Sequence, residues 1–285
     1  MTGQRLTEGA RSDVRAPDGT RLAVYEWGKP KGPEVLLVHG FAQCHLCFEP
    51  QIRALAEHCR VVAFDFRGHG ASEQPADPAA YQGERVWADD IATVMAAKRL
   101  ERPMLVGWSM GGRVIRQYLI NYGDAEIAGV NFVASQVIEE ARFRGPGAPK
   151  ALPDRLTLEE EIDYAIAFLD ACFGKKPSEA AFRRALGYNV RVPAAVRRAI
   201  AGWSTAAPLT IDALRKVRVP VLITHGRQDT VVLPAAAEMT ANTIAHARLS
   251  WFDDCGHSPF VEDSARFNDE LAAFVEASLV GGLRV

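Results

Sequence analysis

Ser109 lies at the centre of the segment GWSMG, residues 107–111, which follows an apolar run and precedes a pattern typical of a helix. Glycines on both sides suit a sharp backbone turn, and a serine held at such a turn exposes its hydroxyl. That hydroxyl could attack a carbonyl carbon once a base has removed its proton. The alternative is a tight turn whose serine only caps the following helix. The strand–turn–helix context favours the nucleophile.

The base that a serine nucleophile needs must come from one of seven histidines. His257 lies in a short loop, DDCGHSPF, between the last predicted strand and the last predicted helix. Sites in parallel α/β sheets gather in loops that follow the carboxyl ends of strands, so His257 is predicted to be the general base. The others occur in a helix, in polar segments, in a turn or at the ends of apolar strands. These are His39, His45, His58, His69, His225 and His246.

An acid that orients the base should lie in a loop after another strand. Asp229 follows the apolar run VLITHG and is the predicted acid, the alternative being a solvated turn residue. Asp253 and Asp254 are rivals, but they precede His257 so closely that the end of a strand would have to fold back. The predicted catalytic residues are therefore Ser109, Asp229 and His257, in that order along the chain.

An oxyanion formed by the attack needs preorganised N–H donors. One is the backbone N–H of Met110, directly after the nucleophile. The segment VHGFAQ supplies the second, the backbone N–H of Phe41, and Gly40 allows this loop to turn close to the serine. His39 is predicted to support the loop with its side chain and not to react.

These residues must be positioned by strands that read as unbroken apolar runs between helical patterns, such as EVLLV, RVVAF, PMLVGW and VPVLITHG. Such runs predict a parallel sheet covered on both faces. The segment VRAPDGTRLAVYEWG predicts two short strands around an Asp-Gly turn. The predicted fold is therefore α/β, with a mainly parallel central sheet flanked by helices and an antiparallel strand at its start.

The alternation changes in the middle of the chain, where helical patterns replace strand-like runs. Thr157 and Glu160 form a predicted capping box at the start of one of these helices. We therefore predict a core domain of residues 1–135 and 214–285, with an inserted helical cap, or lid, of residues 136–213. The cap is expected to wall a mostly apolar pocket, although core packing within the cap is the alternative role for each of its aromatic residues. The candidates are Phe168, Phe173 and Trp203.

The overall composition excludes several classes of partner. With a net charge of −2, the chain of 285 residues offers no electrostatic argument for binding nucleic acid or an anionic membrane. The N-terminal segment has no apolar stretch typical of a secretory signal, and no run is long enough to span a bilayer, so a cytoplasmic location is predicted.

Cys44 and Cys47 form a C-x-x-C, but no second pair follows, so all five cysteines are expected to be reduced thiols. Monomer and homodimer both remain open.

Five motifs occur in the order in which α/β-hydrolases carry them, and the chain resembles that superfamily from its first strand pair to its last helix. The motif GWSMGG resembles the serine esterase and cofactor-free haloperoxidase or perhydrolase branch, and also the meta-cleavage-product C–C hydrolases. Haloalkane dehalogenases and epoxide hydrolases of this fold carry aspartate where Ser109 stands. Related proteins of this fold often have serine and tryptophan where this chain has Cys44 and Phe48. This difference affects the pocket wall near the loop that carries Phe41. The motifs are HGF at 39–41, DFRGHGAS at 65–72, GWSMGG at 107–112, GRQD at 226–229 and GHSPF at 256–260.

The resemblance implies a serine hydrolase that cleaves a small carboxylic ester, lactone or thioester through an acyl-enzyme, with no metal and no organic cofactor. Its partner would be a small acyl substrate. Two alternative activities would use the same catalytic residues, namely C–C bond hydrolysis and perhydrolysis or haloperoxidation. A further alternative is a ligand receptor of the same fold. The resemblance also implies an architectural role for DFRGHGAS, with Arg67 and Ser72 holding the segment by hydrogen bonds.

Overall fold

The computed structural model describes residues 9–153 and 155–281. The outer limits of the predicted core domain, at residues 1 and 285, lie outside the described residues. Residue 154 of the predicted cap also lies outside them. The same is true of residues 1–8, which belong to the N-terminal segment in which no secretory signal is predicted.

Strands and helices alternate along most of the described chain. The strands are β1 (Ala10–Arg15), β2 (Arg21–Gly28), β3 (Glu34–Val38), β4 (Arg60–Phe64), β5 (Met104–Trp108), β6 (Gly129–Val133), β7 (Val221–Gly226) and β8 (Arg248–Phe252). The α-helices are α1 (Glu49–Leu55), α2 (Val86–Lys98), α3 (Met110–Tyr122), α4 (Leu158–Ala171), α5 (Glu179–Asn189), α6 (Ala194–Ala201), α7 (Ala207–Lys216), α8 (Ala235–Thr243), α9 (Pro259–Glu262) and α10 (Ser264–Gly281). Short 3₁₀ helices lie at His45–Phe48, Pro78–Tyr81 and Ala141–Phe143. Across the two described ranges, every helix is too short or too polar to cross a bilayer.

These strands form one sheet in the order β1-β2-β4-β3-β5-β6-β7-β8. Strand β2 is antiparallel to both of its neighbours, whereas every pair from β4–β3 to β7–β8 is parallel. Strands β5 and β6 are buried along their whole length, because helices cover both faces of the sheet. The predicted α/β class, with a mainly parallel sheet and an antiparallel strand at its start, is confirmed.

The hydrophobic core lies in two layers, one on each face of the sheet. Leu36 and Leu105 belong to the layer under α2 and α3. Val35, Leu37 and Val106 point the other way, into the layer under α1 and α10. Successive residues of a strand point to opposite faces, so each central strand supplies both layers and is fixed from both sides.

The parallel strands end close together at one edge of the sheet. Val38, the last residue of β3, pairs with Phe64 of β4 and with Gly107 near the end of β5. Gly226, the last residue of β7, pairs with Phe252, the last residue of β8. The loops that follow β3, β5, β7 and β8 therefore emerge at the same edge, where ligand sites of parallel α/β sheets form.

Four helices, α4 to α7, lie between β6 and β7 in the described chain. The capping box at the start of α4 is present: the backbone N–H of Glu160 donates to Thr157 Oγ1 (3.2 Å), and that of Thr157 donates to the Glu160 carboxylate (2.7 Å). Helices α4 and α5 pack on each other, whereas α7 packs on α3 of the core. The predicted boundary at residue 213 falls inside α7, a helix that the sequence pattern did not single out.

Candidate active site

Ser109 occupies the turn between β5 and α3, with φ 53° and ψ −116°. A positive φ is uncommon for residues that carry a side chain, and strain of this kind is concentrated at functional sites. Neighbouring groups hold the turn. The Ser109 N–H donates to the carbonyl of Val133 (2.9 Å), and the Ser135 hydroxyl donates to the carbonyl of Ser109 (2.7 Å). The constrained turn leaves Ser109 in the lining of a pocket.

The flanking glycines allow close packing around this turn. A Cβ on Gly111 would lie 2.1 Å from the carbonyl oxygen of Val38, and one on Gly107 would lie 2.7 Å from the carbonyl carbon of Gly111. Helix α3 can therefore approach β3 and β5 this closely only with glycine at these positions. The positive φ belongs to Ser109. The sharp bend that the sequence analysis assigned to the glycines thus falls on the serine itself.

His257 lies in the loop between β8 and α9 and is completely buried. Its Nε2 is 2.8 Å from Ser109 Oγ. The indole N–H of Trp108 donates to its carbonyl oxygen (2.8 Å). The carboxylate of Glu262 accepts the backbone N–H groups on both sides of His257, at 3.0 and 3.1 Å. Glu262 fixes this loop, and nothing in the sequence pattern distinguished it from other acidic residues of a helix end.

Asp229 follows β7 and is buried against His257, with its Oδ2 2.8 Å from His257 Nδ1. Its other oxygen, Oδ1, accepts the backbone N–H groups of Val231 (2.8 Å) and Val232 (2.9 Å). Carboxylate oxygens only accept, so Nδ1 of His257 carries the proton and the lone pair of Nε2 faces Ser109. The three residues predicted from the sequence are therefore joined by one chain of hydrogen bonds.

A second histidine, His225, contacts the same carboxylate. Its Nε2 lies 3.2 Å from Asp229 Oδ2 and 2.9 Å from the carbonyl of Val232, and both are acceptors, so this nitrogen is the donor. Burial acts to raise the pKa of Asp229, yet its contacts with His257 and His225 hold that pKa well below its usual range. From the sequence, His225 is predicted only to lie at the end of a strand. Its four-residue spacing from Asp229 was the one signal of this contact.

The residues that carry the two predicted oxyanion donors come from different loops. Phe41 follows β3 and Met110 begins α3, and both line the pocket together with Ser109. Within residues 9–153 and 155–281, neither of their backbone N–H groups donates a hydrogen bond to another protein atom. These groups are free to bind an oxygen atom of a substrate.

Two buried histidines hold the loop that carries Phe41. Nδ1 of His39 donates to the carbonyl of Gly40 (2.8 Å), and its Nε2 accepts the N–H of Phe66 (3.0 Å). Nε2 of His69 accepts the backbone N–H of Ala42 (3.1 Å). Burial lowers the pKa of His39 to about 3 and that of His69 to about 4, which keeps both rings neutral. Their contacts are those of supports for the loop.

The DFRGHGAS segment is held by a buried ion pair. Arg67 donates twice to the carboxylate of Asp90, at 2.8 and 2.7 Å, and once to Asp18 at 2.6 Å. The hydroxyl of Ser72 donates to the carbonyl of Asp65 (2.5 Å). These contacts lie within the fold and agree with an architectural role for the segment.

The rival acids of the sequence analysis do not enter this arrangement. The side chains of Asp253 and Asp254 are 76% and 77% exposed. Asp253 pairs with Arg227 at 2.7 Å, and Asp254 lies 3.8 Å from Lys175. Both carboxylates are therefore solvated at the surface.

A pocket of about 810 Å³ opens beside Ser109. Phe168 and Trp203 form part of its wall, as predicted, but Phe173 does not line it and packs in the neighbouring apolar cluster. Apolar residues make up most of its described lining, but charged side chains are also present. Its described lining includes five basic and two acidic side chains: Arg113, Arg144, Lys150, Arg197 and Arg198, with Glu139 and Glu140.

Cys44, His45 and Asp65 form the one group of possible metal ligands found among the described residues, with ligand atoms within 4.8 Å of one another. Oδ1 of Asp65 already accepts the backbone N–H (2.9 Å) and Nδ1–H (2.8 Å) of His45, and Oδ2 accepts the N–H of Ala71 (2.9 Å). Burial raises the pKa of the Cys44 thiol, which disfavours the thiolate that binds metals. The group has the contacts of a structural hydrogen-bond cluster.

Comparison with known proteins agrees with this architecture. A candidate aryl esterase from Burkholderia cenocepacia is 34% identical, with a TM-score of 0.88, and the match covers 95% of this chain and 99% of that chain. An esterase from Rhodococcus sp. ECU1013 is 31% identical, with a TM-score of 0.86, over 94% of this chain and 98% of its own. A bifunctional esterase/perhydrolase from Acinetobacter calcoaceticus is 26% identical over 282 residues, 93% of this chain and 99% of its own.

The sequence profile of the alpha/beta hydrolase fold matches residues 33–264, which is most of the chain. This match and the esterase structures confirm the resemblance derived from the motifs. The chain belongs to the α/β-hydrolase fold family.

Proposed function

We propose that the protein is a serine hydrolase that cleaves carboxylic esters through an acyl-enzyme intermediate. Ser109 is the nucleophile, His257 the general base and Asp229 the acid that orients it. The observation that carries this proposal is the continuous hydrogen-bond chain among these side chains, with 2.8 Å at each of its two links. This chain of hydrogen bonds lies at the carboxyl edge of the sheet, and Ser109 at its end lines the pocket.

The reaction begins when Ser109 Oγ attacks the ester carbonyl and its proton passes to Nε2 of His257. The negative charge that forms on the carbonyl oxygen is stabilised by the N–H groups of Phe41 and Met110. Asp229 stabilises the imidazolium. His257 then gives the proton to the leaving alcohol, which leaves the acyl group on Ser109.

Water completes the cycle. His257 accepts a proton from the water molecule as its oxygen attacks the acyl carbon, and the same donors hold the second oxyanion. Ser109 leaves with the proton returned by His257, and the carboxylic acid is released.

The helices between β6 and β7 suit the role of a cap over this site. Residues of α4 and α6 line the same pocket as Ser109, including Phe168 and Arg197. We propose that residues 136–213, extended to the end of α7 because that helix is continuous, act as a cap that determines which acyl chains enter.

Perhydrolysis is a second candidate. Hydrogen peroxide would replace water, so that attack of its oxygen on the acyl carbon yields a peracid and free Ser109. The relative from Acinetobacter calcoaceticus, whose name combines both activities, favours this possibility. The C–C hydrolase and receptor alternatives, a small acyl substrate as partner, the lack of a cofactor and the cytoplasmic location stay predictions.

The test is hydrolysis of p-nitrophenyl esters of graded acyl length by the wild type, Ser109→Ala and Ser204→Ala. Ser204 also lines the pocket, so its variant is the matched control. We expect activity and fluorophosphonate labelling in the wild type and in Ser204→Ala, and neither in Ser109→Ala. Hydrolysis by Ser109→Ala at the wild-type rate would exclude Ser109 as nucleophile. A panel that is wholly inert at high enzyme concentration would favour the C–C hydrolase or the receptor.

A further inference from the structure

Arg197 is a buried cation in the wall of the same pocket. It lies on α6, is 4% exposed, and lines the pocket together with Ser109. Its Nε donates to the carbonyl of Val192 (2.9 Å) and its Nη2 to that of Asn189 (2.5 Å). These two bonds fix the guanidinium in place, and its Cζ lies 5.8 Å from the centre of the Tyr164 ring. Nη1 has no hydrogen-bond acceptor among the described residues.

No carboxylate neutralises this charge. Within residues 9–153 and 155–281, no acidic side chain lies within ion-pair distance of Arg197. Glu161 interacts with it only as a more distant charge. Burial lowers the pKa of Arg197, but a guanidinium stays protonated in proteins. A buried charge without a counter-ion is strongly unfavourable, so its retention beside a cavity points to a ligand that supplies the missing charge.

The remaining charges of the pocket do not supply it. Glu139 is paired with Arg113 (3.0 Å) and Arg116 (2.5 Å), and Glu140 is paired with Arg142 (2.6 Å). The other described basic residues of the lining that lack a carboxylate are exposed or half-buried, where water solvates them. These are Arg144, Lys150 and Arg198. The described lining therefore presents an excess of positive charge, and Arg197 is its one buried part.

We propose that Arg197 binds a carboxylate of the substrate, so that the enzyme prefers esters carrying a free carboxylate remote from the scissile bond. Esters of dicarboxylic acids in which one carboxylate remains free belong to this class. Nη1 of this guanidinium can donate to a carboxylate, and a ligand carboxylate in the pocket would replace the counter-ion that the protein lacks. The inference rests on the proposed function, because Ser109 would act on the ester end of the same molecule.

The test compares two p-nitrophenyl esters that differ in charge alone. One is the mono-p-nitrophenyl ester of adipic acid, with a free carboxylate; the other has a carboxamide in its place. The same pair made from suberic acid covers a longer span. We expect the wild type to favour the carboxylate by about tenfold or more in kcat/KM for at least one length, equivalent to about 1.4 kcal/mol. A ratio near one at both lengths would overturn the proposal.

Variants assign the preference to Arg197. In Arg197→Gln the ratio of kcat/KM for the carboxylate ester to kcat/KM for the carboxamide ester should fall to near one, and Arg197→Lys should retain part of the preference. Arg183→Gln, which removes the same charge from an exposed site on α5, is the matched control and should keep the wild-type ratio. An undiminished preference in folded Arg197→Gln would refute the role of this residue.

The two proposals fail in different ways. If both esters are hydrolysed equally and Ser109→Ala abolishes this hydrolysis, the proposed carboxylate site is refuted and the proposed serine hydrolase is supported. If no ester is cleaved, calorimetric binding of 6-oxoheptanoate and of its amide decides the question without catalysis. Binding of the carboxylate alone, lost in Arg197→Gln, would support the site; equal binding or none would overturn it.

Discussion

Replacing Asp229 by asparagine tests the orienting carboxylate at nearly constant side-chain volume. In the wild type, Oδ1 accepts two backbone N–H groups, and Oδ2 faces the ring nitrogens of His257 and His225. Asparagine has one oxygen, so only one of these pairs of donors keeps an acceptor. If the oxygen stays with the backbone, its NH₂ group faces His257. The proton of that ring then moves to Nε2, and no lone pair remains for Ser109.

The reversed orientation would keep the tautomer but is unfavourable. The NH₂ group would then face the N–H groups of Val231 and Val232, which are now bound at 2.8 and 2.9 Å. Two buried donors would be left without acceptors, at a cost of about 1–3 kcal/mol each. We therefore expect the variant to adopt the first orientation, which holds His257 in the inactive tautomer.

The size of the effect follows from the distance between Asp229 Oδ2 and His257 Nδ1, 2.8 Å. At an effective dielectric constant of about 20, a carboxylate stabilises an imidazolium at this distance by about 6 kcal/mol. A neutral amide recovers part of that energy through its dipole. We expect kcat to fall about 10³- to 10⁴-fold, with KM little changed, because Asp229 does not line the pocket.

The assay is the initial rate of p-nitrophenol release under saturating substrate, with thermal unfolding measured in parallel. Asp253→Asn is the matched control, since Asp253 was the rival acid and its side chain is 76% exposed; it should retain wild-type kcat. A folded Asp229→Asn enzyme with kcat within tenfold of the wild type would refute the assigned role. So would an equal loss in Asp253→Asn.

Two further substitutions test the scaffold. Gly111→Ala places a methyl group against the carbonyl of Val38, so it should lower the free energy of unfolding by about 3 kcal/mol or more and remove most of the activity. The control Gly187→Ala, in open space on α5, should instead raise the free energy of unfolding by about 0.5–1 kcal/mol. Equal effects of the two variants in urea unfolding would contradict the packing argument. Arg67→Met leaves Asp90 buried without its partner and should cost about 3–5 kcal/mol, part of which Arg67→Met/Asp90→Leu should recover. A loss below about 1 kcal/mol in the single variant would show that the pair is not needed for stability.

The fold and the hydrogen-bonded residues could be predicted because they depend on local patterns. Unbroken apolar runs indicate buried parallel strands, and the carboxyl ends of such strands meet at one edge wherever they stand in the sequence. Ser109, Asp229 and His257 each follow a strand, so their meeting requires only the topology. Their catalytic roles remain predictions that the substitutions above can test.

Other features depend on contacts that no local pattern records. His225 lies inside an apolar strand, and only the fold of the following loop brings its Nε2 to Asp229. From the sequence, Glu262 is expected to be a solvated residue at the end of a helix. In the structure its carboxylate accepts two N–H groups of the loop that holds His257. Helix α7 packs on α3, so a boundary drawn where the composition changes, at residue 213, cuts through it.

The charge of the pocket shows why the cap was the hardest part to predict. In PAAVRRAIAGW the apolar residues mark the face of α6 that packs inward, and arginines within such a pattern are normally solvated. In the structure, Arg197 is buried beside Val196 and Ile200 on that inward face. Periodicity indicates which side of a helix is covered, but it does not distinguish packing against other side chains from exposure to a pocket. A charged residue on the inward face that lacks a counter-ion favours the second, and this makes Arg197 the residue whose substitution should report most directly on the substrate.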